Sequence, residues 1–69
     1  MRYKLEVWVN GDPRSTYRDN DICNLVKIFK EDWGEYEGGR CEIYLYKDNC
    51  ELSDEEIFEL GFVIKGELI

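Results

Sequence analysis

Histidine is absent from this chain of 69 residues, which removes the side chain that most often serves as a general base near neutral pH. A reactive cysteine needs a cationic or histidine neighbour to stabilise its thiolate, and Cys23 stands between Ile22 and Asn24. Carboxylates are plentiful, but a catalytic pair of them needs a cleft that so short a chain can hardly enclose. We therefore expect a protein that is not an enzyme.

Paired metal ligands are also missing. The three cysteines, Cys23, Cys41 and Cys50, form no C-x-x-C pair, whereas a structural zinc site needs four ligands that usually come in close pairs. An EF-hand loop starting at Asp48 fails because Cys50 and Leu52 occupy ligand positions, and no phosphate loop or dinucleotide fingerprint is present. We expect no metal and no cofactor, and we expect the cysteines to be buried free thiols in a reducing compartment.

Long apolar runs and positive charge are both scarce. No stretch approaches the roughly 20 apolar residues that span a membrane, and no apolar run of signal-peptide length follows Met1. Nine basic residues stand against sixteen acidic ones, a net charge of −7. Nucleic acids and anionic membranes repel such a chain, so we expect a cytoplasmic protein that binds neither directly.

The clearest element is an amphipathic helix predicted over Asn20–Trp33. Asp19, Asn20 and Asp21 supply acceptors for its first free N–H groups, and Gly34 can end it in the left-handed conformation. Its apolar residues recur at helical spacing and should face the core: Ile22, Leu25, Val26, Phe29 and Trp33.

Two segments alternate between apolar and polar residues, which predicts half-buried strands over Tyr3–Asn10 and Arg40–Lys47. The Asn10-Gly11 pair favours a tight hairpin, with a short return strand over Arg14–Arg18. The inner sheet face should consist of five residues: Leu5, Val7, Val9, Ile43 and Leu45.

A second helix is predicted over Asp54–Leu60, because Ser53 and Glu56 have the spacing of a capping box. Its residues Ile57 and Leu60 should point inward, and a last strand should cover Phe62–Lys65. The chain is thus expected to form one domain over residues 1–69, of the α+β class. It would combine a small, mostly antiparallel sheet with one amphipathic helix and a second short acidic helix.

Charge is distributed unevenly. Residues 1–30 carry a net charge of +2, whereas residues 31–69 hold twelve acidic and three basic residues, a net charge of −9. Two interpretations follow: a solvated face that keeps a small protein soluble, or a surface shaped for a basic partner. The leading candidate contacts lie on or beside the second helix: Glu51, Asp54, Glu55, Glu56 and Glu59. Three further candidates lie in loops: Asp48, Glu35 and Glu37.

The negative charge of residues 31–69 can be compared with that on one side of a DNA duplex of the same length. A domain of this length should be roughly 28 Å across. Duplex DNA carries about 16 phosphate charges over that length, and a partner on one side meets about half of them. The net charge of −9 is of that order.

Three aromatic residues, Trp8, Tyr44 and Tyr46, fall on the strand faces opposite the predicted core. Such a patch would be large for the surface of so small a protein. Either the second helix covers it or a second copy of the chain does, and we favour a homodimer.

In length, acidity and α+β layout the chain resembles the small acidic proteins that phages make to disable host DNA-binding proteins. Within that group it is most similar to the phage inhibitors of the bacterial histone-like protein HU. The resemblance implies a DNA mimic that occupies the DNA-binding surface of a basic host protein. The alternative is a small interaction adaptor or inhibitor that binds through apolar contacts, with charge serving solubility only.

Overall fold

The computed structural model describes residues 2–62, which form six elements in the order ββαββα. Their bounds are β1 Tyr3–Val9, β2 Asp12–Asp19, α1 Ile22–Trp33, β3 Cys41–Lys47, β4 Cys50–Glu51 and α2 Asp54–Glu59. The strands form one antiparallel sheet in the order β2-β1-β3-β4. This confirms the predicted α+β class. Of the strand predicted over Phe62–Lys65, only Phe62 belongs to the described residues.

The first hairpin has the predicted turn. Asn10 and Gly11 adopt φ angles of 52° and 83°, the pair of positive values that a type I′ turn requires. Strand β2 is longer than the predicted Arg14–Arg18, because its pairing with β1 runs from Asp19 back to Asp12. Pro13 is tolerated there since β2 is an edge strand, where one side needs no backbone donor.

A second tight hairpin connects β3 to β4. Asp48 and Asn49 have φ angles of 50° and 66°, so the chain folds straight back on itself at these two residues. Tyr46 pairs with Glu51 and Lys47 pairs with Cys50. Strand β4 was not predicted, because two residues are too few to show an alternating pattern.

The core lies between the inner face of the sheet and the two helices. Leu25 and Phe29 of α1 are fully buried, and the Phe29 ring meets that of Phe62 edge to face with centroids 5.4 Å apart. Ile57 joins them from α2. The sheet contributes the five predicted residues and Cys41, all buried: Leu5, Val7, Val9, Cys41, Ile43 and Leu45. Both the helical stripe and the strand alternation are therefore confirmed.

The ends of α1 differ from the prediction in detail. The helix begins at Ile22, because the Asp21 carboxylate accepts a hydrogen bond from the Cys23 N–H at 2.9 Å and so forms the N-cap. Gly34 does close the helix, but in the right-handed conformation with φ −56°, so the predicted left-handed cap is wrong. Glycine is needed for space, since a Cβ atom there would lie 2.5 Å from the Lys30 carbonyl oxygen.

Two expectations about burial were wrong. Cys23 and Cys50 are exposed and only Cys41 is buried, because Cys23 lies on the solvent side of α1 and Cys50 lies in the short edge strand β4. Leu60 is 39% exposed. Leu60 is the C-cap residue that follows α2, and its side chain lies at the surface instead of in the core with Ile57. Within residues 2–62, no helix has both the length and the apolar character that a membrane span requires.

Candidate protein-binding surfaces

Residues 48–59, here called the acidic segment, comprise the β3–β4 turn, β4 and α2. This segment contains no lysine or arginine. It holds six carboxylates, all on exposed residues: Asp48, Glu51, Asp54, Glu55, Glu56 and Glu59. The structure thus brings the five leading candidate residues together with one of the three loop candidates.

The local structure of α2 explains how these charges are held. Ser53 Oγ accepts a hydrogen bond from the Glu56 N–H at 3.2 Å, and Glu56 Oε1 accepts one from the Ser53 N–H at 3.1 Å. This predicted capping box fixes Glu56 against the start of the helix. Glu55 and Glu59 lie one turn apart, where like charges cost a few tenths of a kcal/mol. The buried side chain of Ile57 anchors the helix against that repulsion.

The loop candidates separate into two groups. Asp48 continues the acidic segment, and its Oδ1 atom lies 3.5 Å from Arg2 Nε in an exposed ion pair. Glu35 and Glu37 lie in the connection that enters β3 at its other end. A strand of seven residues spans roughly 20 Å, so these two carboxylates are remote from α2. Glu35 and Glu37 are therefore not part of the acidic segment.

The outer face of the sheet carries the aromatic face, defined as Trp8, Tyr44 and Tyr46, all half-buried. The Trp8 and Tyr44 rings meet edge to face with centroids 5.8 Å apart and an interplanar angle of 75°. Lys4 Nζ lies 5.4 Å from the centroid of the Tyr46 ring, within range of a cation–π interaction. The rings therefore shield one another along neighbouring strands β1 and β3.

Carboxylates bond to the polar atoms of Trp8 and Tyr44 in the aromatic face. Glu6 receives hydrogen bonds from Lys4 Nζ at 3.0 Å and from Trp8 Nε1 at 3.1 Å, and these bonds lower the pKa of Glu6. The Tyr44 hydroxyl donates to Glu42 Oε2 at 2.7 Å, and this bond raises the pKa of Tyr44 because it favours the protonated phenol. The polar atoms of Trp8 and Tyr44 are thus paired within the chain, which leaves their ring surfaces for contact.

Helix α2 does not cover the aromatic face. Ile57 of α2 and Leu25 of α1 enter the same core, so within residues 2–62 both helices pack on the inner side of the sheet. The alternative in which α2 covers these rings is therefore wrong. A second copy of the chain stays a prediction.

Sequence reasoning missed the apolar part of the acidic helix. Phe58 is 46% exposed and Leu60 is 39% exposed, and both stand among its carboxylates. The position of Phe58 next to the inward-facing Ile57 could have revealed its exposure, because neighbouring residues on a helix point about 100° apart. The surface of α2 is therefore mixed, with charged and apolar groups side by side.

The described residues contain neither a cluster of metal ligands nor an unpaired buried polar side-chain atom. No group of three or more Cys, Asp or Glu residues in this part of the chain could hold a metal ion. Its buried residues are all hydrophobic, and no buried side-chain nitrogen or oxygen atom there lacks a hydrogen-bond partner. The charged and aromatic surfaces are thus its most distinctive chemical features.

Comparison with known proteins gave no match to any protein-family model, curated protein or solved structure.

Proposed function

We propose that this protein is a DNA mimic that binds the DNA-binding surface of a basic host protein, with histone-like HU favoured, and so blocks DNA binding. The observation that carries the proposal is the acidic segment, in which six exposed carboxylates occur in residues 48–59 without any basic residue. The electrostatic field of such a segment attracts a basic groove and repels nucleic acid.

The dimensions of the folded chain support this proposal. Its longest extent is 30 Å. Duplex DNA of that length carries roughly 18 phosphate charges, about nine of them on one side. The acidic segment carries six negative charges and no positive one, so a partner built for DNA meets a charge of the same order on this side of the domain.

The energetics favour many weak contacts over one strong contact. An exposed ion pair contributes about 0–1 kcal/mol, because water and salt screen it. The summed attraction of the carboxylates in the acidic segment should act chiefly on the association rate. Electrostatic steering raises this rate and added salt lowers it. The complex should therefore weaken steeply as salt is added.

A homodimer completes the proposal. The aromatic face would be covered by the same face of a second copy, as in a two-fold symmetric interface. Burial of Trp8, Tyr44 and Tyr46 would add apolar contact area to a chain near the lower size limit for independent folding. The pair would carry a net charge of about −14, twice that of one chain, and could present two acidic segments to a dimeric partner.

The test is competition with a labelled DNA duplex for purified HU, at low and at physiological salt. The wild type should displace the duplex at low salt. Because Glu56 caps α2, the informative variant is the double substitution Glu55→Gln and Glu59→Gln, which spares the capping box. Its matched control is Asp12→Asn with Glu31→Gln, which removes the same charge from β2 and α1.

The double variant on α2 should displace much less duplex from HU than the wild type does. The control variant should displace nearly as much as the wild type. Equal loss in both variants would remove α2 from the site. If the wild type fails to compete for HU, a pull-down of basic proteins from bacterial lysate, eluted with rising salt, seeks another partner. The proposal fails if no DNA-binding protein is retained at low salt.

The alternative function, an apolar adaptor or inhibitor, draws support from the exposure of Phe58 and Leu60. A partner that contacts these residues would bury apolar surface, and its affinity would change little with salt. In that case Phe58→Ser would weaken binding more than the double Gln variant. The salt dependence of the captured complex therefore separates the two functions.

A further inference from the structure

A cleft of about 300 Å³ opens beside α2, between the start of α1 and the end of β3. Four side chains give it apolar walls: Tyr3, Ile22, Leu52 and Leu60. Ligand pockets usually enclose roughly 300–1,000 Å³, so this cleft suits a single side chain better than a cofactor. Leu60, which is 39% exposed, belongs to these apolar walls.

The rim of the cleft is charged. Glu56 and Glu59 stand on the α2 side, with Lys47 of β3 also lining the cleft. Glu56 Oε1 is engaged by Ser53, but its second oxygen accepts no hydrogen bond within residues 2–62. In the same part of the chain, Glu59 has neither a hydrogen-bond partner nor an ion-pair partner. The rim therefore has an excess of negative charge and one uncommitted carboxylate beside apolar walls.

We propose that this cleft receives an arginine side chain of the basic partner. The alkyl part of the arginine lies against Ile22 and Leu52, and its guanidinium group meets Glu59. This inference rests on the proposed function, since it specifies how a DNA-binding surface is recognised at the acidic segment.

Arginine fits this cleft better than lysine does. A guanidinium group is planar and weakly hydrated, and it can donate two parallel hydrogen bonds to one carboxylate. It also stacks on aromatic rings, and Tyr3 supplies such a ring in the wall. A lysine ammonium group is a compact and strongly hydrated charge, so it loses more on leaving water. The cleft should therefore discriminate between two peptides of equal charge.

The experiment uses two synthetic peptides with blocked ends, one with three Arg-Gly-Gly repeats and one with three Lys-Gly-Gly repeats. Each is titrated at low salt into the ¹⁵N-labelled full chain and followed by NMR. The arginine peptide should bind about threefold to tenfold more tightly than the lysine peptide. The largest shift changes should occur at the amides of Ile22, Leu52 and Glu59.

Variants with matched charge locate the effect. Glu59→Gln should abolish the preference for arginine, whereas Glu55→Gln, which removes the same charge outside the cleft, should weaken both peptides equally. Leu52→Asn should also abolish the preference. Since Leu52 packs against the core, the more exposed Leu60→Ser serves as a second variant that should retain the fold.

Three results would overturn the inference. They are equal affinity for the two peptides, equal effects of Glu59→Gln and Glu55→Gln, and nuclear Overhauser contacts that place residues 63–69 of the free chain in the cleft. Failure of the proposed function looks different. If the wild type prefers the arginine peptide but displaces DNA from no basic protein, the cleft still binds arginine and the mimicry is rejected.

Discussion

The indole N–H of Trp33 donates a hydrogen bond of 2.9 Å to the hydroxyl of Tyr17, which joins the last turn of α1 to the edge strand β2. The same hydroxyl donates to Asp32 Oδ2 at 3.0 Å. Tyr17 pairs with Leu5 across the β1–β2 ladder, so this chain of bonds ties the end of the helix to the sheet. It fixes the direction in which the chain leaves α1 towards β3.

Removal of that hydroxyl should destabilise the domain. Tyr17→Phe deletes both hydrogen bonds and leaves the Trp33 N–H without its acceptor, at a cost of about 1–2 kcal/mol. Urea unfolding followed by tryptophan fluorescence measures the change. Tyr3→Phe is the matched control, because within residues 2–62 the Tyr3 hydroxyl makes no hydrogen bond. Equal stability of the two variants would show that the Tyr17 bonds contribute nothing.

The core should depend on α1. Leu25 and Phe29 are fully buried, so Leu25→Ala should cost about 2–5 kcal/mol and Phe29→Ala about 3–5 kcal/mol. In a chain of 69 residues that loss is comparable to the whole stability, and partial unfolding at 25 °C is expected. Lys27→Ala on the exposed side is the control and should change stability by less than about 0.5 kcal/mol. A cost below about 1 kcal/mol for either core variant would contradict this assignment.

Patterns that repeat over many residues predicted the fold well. Alternation over Leu5, Val7 and Val9 gave the inner face of β1, because successive strand residues point to opposite faces. Ser53 and Glu56 marked the start of α2, because the capping box is a local hydrogen-bond arrangement. In each case the interactions that decide the structure lie within a few residues of one another.

Features without a repeating pattern were not predictable in this way. Strand β4 contains only Cys50 and Glu51, and two residues cannot show an alternation. The cleft walls come from separated parts of the chain, such as Tyr3 and Leu52, so only the tertiary structure brings them together. The candidate contact residues could therefore be named from the sequence, but the cleft beside them could not be predicted from it.

Stability should fall at acid pH partly through Glu6. Hydrogen bonds from Lys4 and then Trp8 hold the pKa of Glu6 below its ordinary value, so the folded state favours the ionised form. That contribution is complete above the unfolded pKa, about 4.3, and is lost as the pH falls through the lower folded pKa. The stability difference between wild type and Glu6→Gln should thus stay constant from about pH 7 to 5 and shrink below about pH 4.

Urea unfolding at a series of pH values measures this difference. Glu31→Gln, a substitution on an exposed residue of α1 without the Lys4 and Trp8 bonds, is the control for the loss of one carboxylate charge. A wild-type advantage over Glu6→Gln that persists unchanged to about pH 3 would show that the ionised carboxylate adds no stability.

The aromatic face should mediate dimerisation. Trp8 and Tyr44 pack edge to face on the outer side of the sheet, and their polar atoms already bond to Glu6 and Glu42, so a second copy can cover the rings without leaving those atoms unpaired. Light scattering should give twice the 8.3 kDa mass of one chain for the wild type at micromolar concentration. Trp8→Ala should give the monomer mass, since aromatic residues near the centre of an interface contribute most of its binding energy. Phe58→Ala, which removes an exposed ring from α2, should leave the dimer intact. A monomeric wild type would reject the homodimer and leave the acidic segment of a single chain as the unit that meets the partner.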